Sequence, residues 1–407
     1  MPAYTADRRN LNAPLEGLRV LELARVLAGP WAGQILADLG AEVVKVEAPA
    51  GDDTRKWGPP FVHNPDGTRD AAYFHATNRG KRSVVADFAS PEGQALVRGL
   101  ATGADVVIEN FKVGGLARYG LDYRSLSATN PQLVYCSITG FGQDGPYAAR
   151  AGYDFIVQGM SGIMDLTGEP DGPPQKTGVA FADIMTGLYA VIGIQAALTE
   201  RERTGLGQHV DLALLDVMVG TLANQAMNYF VTGESPRRLG NSSPNICPYD
   251  VFPTLDGPFI LAVGNDDQFA RFCRAVGIPA NSAVTTNAQR LQRRDEVTAM
   301  IAARTQSWRR DDLLVKLEAE GIPAGPINTV AEAFADPQVR HRGMALSIDR
   351  PDAPPVPGVR LPIRFSRSVP VASSASPALG QQTAAAWGPW RDQTGLAGGQ
   401  TNSKAGD

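Results

Sequence analysis

The first part of the chain alternates short runs of β-branched and aliphatic residues with longer segments of helical periodicity. The runs predict strands over residues 18–23, 41–47, 83–88, 105–110 and 133–138. The segments between them predict helices over 30–39 and 91–102, the second with Ser90 as N-cap and Pro91 in its first turn. Strands alternating with helices are typical of a parallel sheet covered on its faces. We therefore predict an α/β fold with a Rossmann-like parallel sheet.

A long apolar helix is predicted next, over residues 183–203, where Gly187 and Gly193 would permit close packing. A strand over 209–214 and a helix over 217–230 follow it. These elements are expected to complete the first part of a large domain.

A change in composition marks the passage into a smaller α+β domain. Residues 233–248 are rich in Gly, Pro, Ser and Asn, and the turn signal Asp256-Gly257 predicts a hairpin over 249–263. Helices are predicted over residues 267–276, 291–305 and 311–320. The predicted domains are residues 1–225 (large), 226–325 (small, inserted) and 326–407 (return to the large domain and a C-terminal tail, loosely attached after Ser373).

Composition narrows the class of protein. The chain has 407 residues, of which 43% are hydrophobic and 20% charged, as in a soluble globular protein with two domains. A net charge of −4 argues against a nucleic-acid partner. Residues 1–10 lack an apolar signal core, and charges or glycines interrupt the apolar stretches well short of a membrane span. We predict a cytoplasmic protein without a membrane partner.

Cysteine and histidine usage gives no sign of a metal. Cys136, Cys247 and Cys273 are odd in number and lack C-x-x-C spacing, so we expect reduced core thiols. Four histidines are little material for a metal cluster or a Ser-His-Asp triad.

Three segments approach known motifs without completing them. Residues 28–33 follow the first strand without the G-x-G-x-x-G glycines of a dinucleotide site. Residues 80–83 have the end of a phosphate loop but lack its upstream glycine. Residues 159–162 resemble a serine-hydrolase elbow, but Ile163 replaces its last glycine. A dehydrogenase, a nucleotide triphosphatase and a serine hydrolase are all disfavoured.

Asp183 lies at the mouth of the predicted long helix, without a histidine or cysteine partner nearby in sequence. Because an aspartate in solution has a pKa of about 3.9, it is an anion at neutral pH and could attack an activated acyl carbon unaided. Alternatively, it caps the helix by accepting hydrogen bonds from free amides of the first turn. Taken alone, the residue pattern favours the cap.

Several motifs in order change that interpretation. They are Ala28-Gly29-Pro30, Ala41-Glu-Val-Val-Lys-Val-Glu47, Gly51-Asp-Asp-Thr-Arg55, Asn78-Arg-Gly-Lys-Arg-Ser83, Glu109-Asn-Phe111, Gly152-Tyr-Asp154, the Asp183 segment and Thr204-Gly-Leu-Gly-Gln208. The ordered set, spanning nearly the full chain, resembles the class III CoA-transferase (CaiB/BaiF) family. The resemblance implies that Asp183 is the catalytic nucleophile.

The resemblance also implies a coenzyme A site. Its residues would be Asn78, Gly80, Lys81, Asn110, Phe111 and Arg118, with Ala28 at the thioester end. Taken alone, Lys81 would be interpreted as part of a solvated basic turn and Phe111 as a core aromatic. Some family members have an arginine directly after the second strand, where this chain has Ala48. One contact to the CoA nucleotide is therefore expected to be lost, or to be supplied by Arg55.

The implied mechanism passes through an acyl-aspartyl anhydride and an aspartyl-CoA thioester, with no cofactor besides the CoA substrate. The implied assembly is an interlocked homodimer whose active site lies between the large domain of one subunit and the small domain of the other. Because water must be kept from the intermediates, a closing flap is expected, and residues 240–248 are the nearest match.

An acyl-CoA racemase of the same fold is the main alternative, in which a histidine and an aspartate exchange a proton. Those enzymes have Gly-His-Asp where this chain has Gly152-Tyr153-Asp154. A tyrosine, with a pKa of about 10, is a poor base at neutral pH. Tyr153 therefore disfavours the racemase, and Asp154 is expected to be a structural hydrogen-bonding residue. A non-catalytic acyl-CoA-binding paralogue would be expected to lose the nucleophile, but Asp183 is present.

Substrate assignment rests on the same resemblance. The region from Gly152 to Leu198 and the Pro248-Tyr249 segment look most similar to the branch that uses succinyl-CoA and short dicarboxylates such as glutarate. A remote carboxylate needs a cation or several donors. The candidates are Arg25, Ser242, Ser243 and Asn245. The sequence leaves oxalate, malate, itaconate and carnitine-like acids open as alternative acceptors.

Overall fold

The computed structural model describes residues 13–64, 66–350, 353–370 and 374–382. The strands are β1 Arg19–Glu22, β2 Glu42–Glu47, β3 Phe61–His63, β4 Arg69–Ala71, β5 Lys81–Val85, β6 Val106–Glu109, β7 Val134–Thr139, β8 His209–Ala213, β9 Tyr249–Pro253, β10 Pro258–Ala262, β11 Ala324–Pro326, β12 Ala345–Arg350 and β13 Ala353–Val359. The α-helices are α1 Ala28–Asp38, α2 Ala72–His75, α3 Pro91–Thr102, α4 Tyr123–Ser127, α5 Asp154–Met160, α6 Ile163–Leu166, α7 Phe181–Thr204, α8 Leu214–Gly220, α9 Ala223–Thr232, α10 Asp266–Val276, α11 Asn287–Gln292, α12 Arg294–Thr305, α13 Arg310–Ala319, α14 Val330–Ala335 and α15 Pro337–His341.

Two compact units are present. The first contains the described residues up to Ser161, Gly178–Leu222 and the described residues from Arg342 onward. The second contains Gly162–Thr177 and Ala223–His341. The division differs from the predicted domain bounds in three respects: residues 162–177 join the second unit, that unit resumes at Ala223 rather than at 226, and the chain returns to the first unit at Arg342 rather than at 326.

A parallel sheet organises the first unit, in the order β5-β2-β1-β6-β7-β8. This confirms the predicted α/β class with a Rossmann-like sheet. The strand order reverses at β1, which has β2 on one side and β6 on the other. In such sheets, ligands bind outside the carboxyl ends of the strands at this reversal. The loops that follow β1 and β6 therefore lie where a site is expected.

Helix capping agrees with the sequence in α3. The Ser90 hydroxyl accepts the backbone N–H of Gly93 at 3.0 Å, and Pro91 begins the helix. Prediction was less accurate for the helix over 217–230, which is divided into α8 and α9. Ala223 has φ +46°, which right-handed helical backbone does not allow, so a continuous helix cannot pass through it.

Helix α7 has 24 residues and ends at Gly205, whose φ of +72° suits a C-terminal glycine. By length and composition it is apolar enough to cross a membrane, contrary to the expectation of short apolar stretches. One such helix is weak evidence for a span, because the core helix of a soluble protein passes the same test. Buried positions of α7, among them Ala190 and Ile194, belong to the core of the first unit.

Small residues let α7 approach its neighbours, as predicted. A Cβ on Gly187 would lie 2.8 Å from the carbonyl oxygen of Ala28 and 2.9 Å from Trp31 Cδ1. A Cβ on Gly193 would lie 3.0 Å from Val210 Cγ1. The missing side chain at Gly187 therefore lets α7 cross directly over the start of α1.

The second unit is built on an antiparallel sheet in the order β11-β10-β9. The predicted hairpin is confirmed, with β9 and β10 joined at Gly257. Phe252, Phe259 and Phe272 lie in its core. Strand β11 was not predicted and crosses the predicted domain bound between residues 325 and 326. The predicted helix over 291–305 is divided into α11 and α12.

Residues 374–382, expected to be loosely attached, are bound to the first unit. Gly80 N donates to the Ser374 carbonyl at 2.9 Å, and Gln382 N donates to the Ser83 carbonyl at 3.1 Å. The rest of the predicted tail, after 382, lies outside the described residues. All three cysteines are buried free thiols, as predicted.

Candidate active site

A cavity of about 170 Å³ opens beyond the carboxyl ends of β1, β6 and β7. It collects predicted site residues from distant parts of the chain. Those lining it are Arg25, Ala28, Asn110, Phe111 and Asp183, joined by Val26, Leu27, Arg150 and Tyr153. The strand reversal at β1 explains this meeting, since the β1 and β6 loops flank the same crevice.

Asp183 reaches the cavity from the first turn of α7. It precedes Gly187 by four residues, so both lie on the same face of the helix. Because Gly187 packs on the Ala28 carbonyl, that face is directed at the loop after β1. The crossing of α7 over α1 therefore brings Asp183 into the cavity that Leu27 and Ala28 also line.

The N-terminus of α7 is capped by a different aspartate. Asp154 Oδ1 accepts the backbone N–H groups of Ala182 at 2.8 Å and Asp183 at 3.3 Å. Asp154 Oδ2 accepts from Gln158 Nε2 at 2.7 Å. The N-cap residue of α7 is Ala180, so the alternative role of Asp183 as the cap is wrong. Asp154 is a hydrogen-bonding residue, as predicted.

The electrostatic environment of Asp183 differs from that of an aspartate in water. Burial, and then the nearby charge of Asp154, raise the pKa of Asp183 to about 7. The solution pKa assumed from sequence is therefore wrong for the folded chain. Near neutral pH, a substantial fraction of the free protein carries a protonated Asp183.

Tyr73 belongs to the same environment and was missed by sequence reasoning. Burial, and then the charges of Asp183 and Asp154, raise its pKa. Its ring makes an edge contact with Trp57, with ring centroids 5.4 Å apart. It lies in the short helix α2, and no motif in the sequence around it indicates a functional site. Only the fold brings it near the nucleophile.

The β1–α1 loop is tied to the loop after β6. Asn110 Oδ1 accepts the backbone N–H of Arg25 at 2.9 Å, and Asn110 Nδ2 donates to the Arg25 carbonyl at 2.7 Å. The Arg25 guanidinium lies 5.2 Å from the centroid of the Phe111 ring. Both amide atoms of Asn110, predicted to contact CoA, are thus engaged with backbone.

Two further arginines bear on the site. Arg150 lines the cavity, with its guanidinium 4.4 Å from the centroid of Tyr147, and was not predicted. The signal that could have found it is a cation just before the Gly152-Tyr-Asp154 motif. Arg118 is exposed over the Tyr119 ring at 4.5 Å and does not line the cavity.

Asn78 and Lys81 are packed against the start of α1 and do not line the cavity. Lys81 Nζ is 2.8 Å from Glu22 Oε2 and donates to the Pro30 carbonyl and to Asn78 Oδ1, both at 2.9 Å. Burial lowers the pKa of Lys81 to about 8. The interpretation of Lys81 as part of a solvated turn is wrong, because its side chain is fully buried. Gly80 lies beside this cluster with φ +74°.

Arg55 is also committed to internal contacts. Its guanidinium is 2.7 Å from Glu47 Oε1 and 3.0 Å from Asp70 Oδ1, and it donates to the Pro377 carbonyl at 3.1 Å. Its side chain is only 6% exposed. Four of its five N–H donors thus bind internal acceptors, so the side chain of Arg55 is committed to the first unit rather than to the nucleotide contact that Ala48 lacks.

In the second unit, residues 240–248 are held by many side chains. Arg294 donates to the Ser243 carbonyl at 2.7 Å, Asn287 to the Asn245 carbonyl at 3.0 Å, and Arg290 to the Cys247 carbonyl at 2.6 Å. The Ser242 hydroxyl donates to the Asp250 carboxylate. Ser242 and the backbone around Ser243 and Asn245 thus have partners within this unit.

Comparisons with known proteins show the family to which the chain belongs. Residues 15–383 match the model of CoA-transferase family III. The chain is 58% identical to a succinate–glutarate CoA-transferase of Agrobacterium fabrum, covering 93% of this chain and 96% of the relative. It is 41% identical to a succinyl-CoA:glutarate CoA-transferase of Mus musculus, covering 91% and 85% respectively.

A solved structure is similar over almost the same length. It is a CaiB/BaiF family protein from Brucella suis, 60% identical, with a TM-score of 0.84, covering 93% of this chain and all of the other. Both kinds of likeness extend across the two compact units. The chain therefore belongs to family III of the CoA-transferases.

Proposed function

We propose that this protein transfers coenzyme A from succinyl-CoA to a short dicarboxylate, with glutarate the preferred acceptor, and that Asp183 is the nucleophile. The observation that supports the role of Asp183 most directly is its place in the cavity beside Ala28, with the helix amides already capped by Asp154. The substrates are inferred from relatives named for them at 58% and 41% identity.

The reaction begins when an Asp183 oxygen attacks the thioester carbonyl of succinyl-CoA. The C–S bond breaks, which releases CoA thiolate and leaves a succinyl-aspartyl anhydride. The thiolate then attacks the aspartyl carbonyl carbon, which forms an aspartyl-CoA thioester and releases succinate. Each step exchanges one activated acyl bond for another.

The second half reverses these steps with the acceptor. A glutarate carboxylate attacks the aspartyl thioester carbonyl, expels thiolate and forms a new anhydride. The thiolate attacks the glutaryl carbonyl, so glutaryl-CoA leaves and the Asp183 carboxylate is regenerated. No redox change or phosphoryl transfer occurs, so we propose that CoA thioesters are the only coenzyme-derived reactants.

In this proposal, some of the predicted CoA-site residues contact the substrate directly and others hold the cavity in place. Ala28 lines the cavity at the thioester end, Asn110 and Phe111 line the same cavity for the nucleotide end, and exposed Arg118 is available to CoA phosphates. Asn78, Gly80 and Lys81 would act indirectly, through the buried cluster under α1. Arg25 and Arg150 supply cations within the cavity for phosphate or for the remote carboxylate.

A second copy of the chain would complete the site as an interlocked homodimer. In the first unit, several large apolar side chains of α5 and α7 are exposed, among them Phe155 at 58%, Ile156 at 47% and Ile192 at 62%, and a concentration of this kind favours a partner surface. Burial of these side chains against a second subunit would shield the hydrolysable intermediates from water. We further propose that the enzyme works in the cytoplasm.

The test is an acyl-CoA exchange assay. Purified protein is incubated with succinyl-CoA and, separately, glutarate, oxalate, malate or itaconate, and the acyl-CoA products are identified by mass spectrometry, with Asp183→Ala in parallel. We expect glutaryl-CoA from the wild type only. If CoA were transferred to the other acids but not to glutarate, the proposed acceptor would be wrong. If only the α-proton of the acyl-CoA were exchanged, without CoA transfer, the protein would be a racemase rather than a transferase.

A further inference from the structure

We propose that the buried Lys45–Asp52 ion pair, together with Asn110, is a positioning device that holds a strained β1–α1 loop against the Asp183 carboxylate. The inference rests on the proposed function, because it assigns the loop a part in the reaction. Neither Lys45 nor Asp52 lines the cavity, so both act through the backbone of residues 24–26.

The strain lies at Val26. Its φ is +69°, in the left-handed region that glycine adopts readily and that a β-branched residue adopts only under constraint. Val26 is also part of the cavity wall, between Arg25 and Leu27. A backbone conformation of this kind persists only where surrounding contacts impose it, and such residues concentrate at functional sites.

Three side chains impose it on three successive residues. Lys45 Nζ donates to the Ala24 carbonyl at 2.7 Å. Asn110 binds both backbone groups of Arg25, at 2.9 and 2.7 Å. Asp52 Oδ2 accepts the backbone N–H of Val26 at 3.3 Å. The chain leading into Val26 is therefore fixed from outside the loop.

The anchors are themselves rigid. Lys45 is fully buried between Glu22 Oε1 at 3.1 Å and Asp52 Oδ2 at 3.0 Å. Asp52 Oδ1 accepts from the Thr54 backbone at 3.0 Å, and the Asp52 backbone donates to Glu47 Oε2 at 3.0 Å. Burial would lower the pKa of Lys45, but the neighbouring carboxylates raise it, so the ammonium stays charged. Charged groups without access to water cannot relax away from their partners cheaply.

The loop matters because Val26 leads directly into the wall that faces the nucleophile. Leu27 and Ala28 continue into α1 and line the cavity beside Asp183. If Val26 relaxed to a negative φ, the peptide unit before Leu27 would rotate and this wall would move. Small displacements of this kind lower rates because the reacting atoms lose their alignment. The ion pair would thus affect kcat more than the KM for acyl-CoA.

Glycine at position 26 provides the decisive test, because it adopts φ +69° without constraint. Asp52→Asn is made in the wild type and in the Val26→Gly background, and kcat is measured for CoA exchange. We expect Asp52→Asn to lower kcat about tenfold or more in the wild type, and less than about threefold in the Val26→Gly background. Equal losses in the two backgrounds, or an unchanged kcat in the wild type, would overturn the proposal.

A second buried pair provides a matched control. Asp38 pairs with Arg79 inside the same unit, at the far end of α1 from the loop. Asp38→Asn should lower Tm as Asp52→Asn does, but its effect on kcat should be small and identical in the two backgrounds. If Asp38→Asn also lowered kcat, and Val26→Gly also restored it, the effect would be general destabilisation and the proposal would be contradicted.

A second variant keeps the proposal testable if Asp52→Asn does not fold, and a second measurement keeps it testable if the proposed substrates are wrong. Asp52→Ser keeps a hydroxyl for the Thr54 amide and leaves Lys45 paired with Glu22, so it replaces Asp52→Asn if that variant does not fold. Hydrogen exchange of the peptide containing residues 24–28 needs no substrate. It should quicken in Asp52→Asn, and unchanged exchange would refute the anchor even if the proposed reaction proved wrong.

Discussion

Asp154 accepts the backbone N–H of Asp183, at 3.3 Å, with the same oxygen that accepts the N–H of Ala182 at 2.8 Å. One carboxylate thus fixes the first turn of the helix that carries the other. Because the two negative charges are close, Asp154 also disfavours ionisation of Asp183. The same residue positions the proposed nucleophile and adjusts its charge.

The pH dependence of activity should report the ionisation of Asp183. Its folded pKa is raised to about 7, and only the carboxylate form attacks the thioester. The nucleophile is therefore lost as pH falls through about 7 and is present above it. We expect kcat/KM for succinyl-CoA to rise between about pH 6 and 8 and then level off. A profile that stays flat down to about pH 5 would contradict a raised pKa.

Replacement of Asp154 should separate its two effects. Asp154→Asn keeps an oxygen for the Ala182 N–H but removes the charge, so the midpoint of the pH profile should move to lower pH. Asp154→Ala also loses the cap, which should cost about 1 kcal/mol of stability and lower kcat. Thermal unfolding and pH profiles of both variants distinguish these outcomes. If Asp154→Asn moved the midpoint upward, the assigned charge interaction would be wrong.

The close crossing of α7 over α1 can be tested at Gly187. A methyl group there would lie 2.8 Å from the Ala28 carbonyl oxygen and force the two helices apart. We expect Gly187→Ala to destabilise the protein by about 1–3 kcal/mol and to lower kcat, because Asp183 lies one turn away. Gly220→Ala is the control, since nothing lies within 4 Å of its added methyl group. Comparable effects of both variants on Tm and kcat would refute the assigned packing.

Arg25 is expected to recognise the remote carboxylate of the acceptor. It lines the cavity, half-exposed, and its guanidinium contacts the Phe111 ring and lies 3.9 Å from the Asp53 carboxylate. Arg25→Ala should raise the KM for glutarate about tenfold or more and leave the KM for a monocarboxylic acceptor of similar length nearly unchanged. Arg25→Lys should retain part of the preference. If KM rose equally for both acceptors, Arg25 would not recognise the remote carboxylate, and its role would be to hold the β1–α1 loop or to bind CoA.

The sheet was predictable from sequence because its strands are buried apolar runs separated by helical periodicity. Val20, Val44 and Val107, for example, are almost completely buried. The reversal at β1 then brings residues 25–28, 110–111 and 183 together, and the family resemblance implied a common site for Ala28, Asn110, Phe111 and Asp183. Strand β11 was missed because its three residues, Ala324–Pro326, carry no strand pattern.

The buried charges could not be predicted in the same way. Lys81 is interpreted as solvated when taken alone, because its partner Glu22, which it shares with Lys45, lies far away in sequence. The raised pKa of Asp183 depends on burial and on Asp154, which only the fold places beside it. The conformation of Val26 likewise has no local signature, since valine normally avoids positive φ.

Covalent attachment of CoA to Asp183 is the most direct test of the proposed reaction. The protein is incubated with succinyl-CoA in the absence of an acceptor, quenched in acid and digested, and the peptide containing residues 181–201 is examined by mass spectrometry. We expect a CoA thioester on Asp183 in the wild type, lost on addition of glutarate as glutaryl-CoA forms, and no adduct or turnover in Asp183→Ala. Sustained turnover by Asp183→Ala, or an adduct on another residue, would contradict the assignment of Asp183 as the nucleophile.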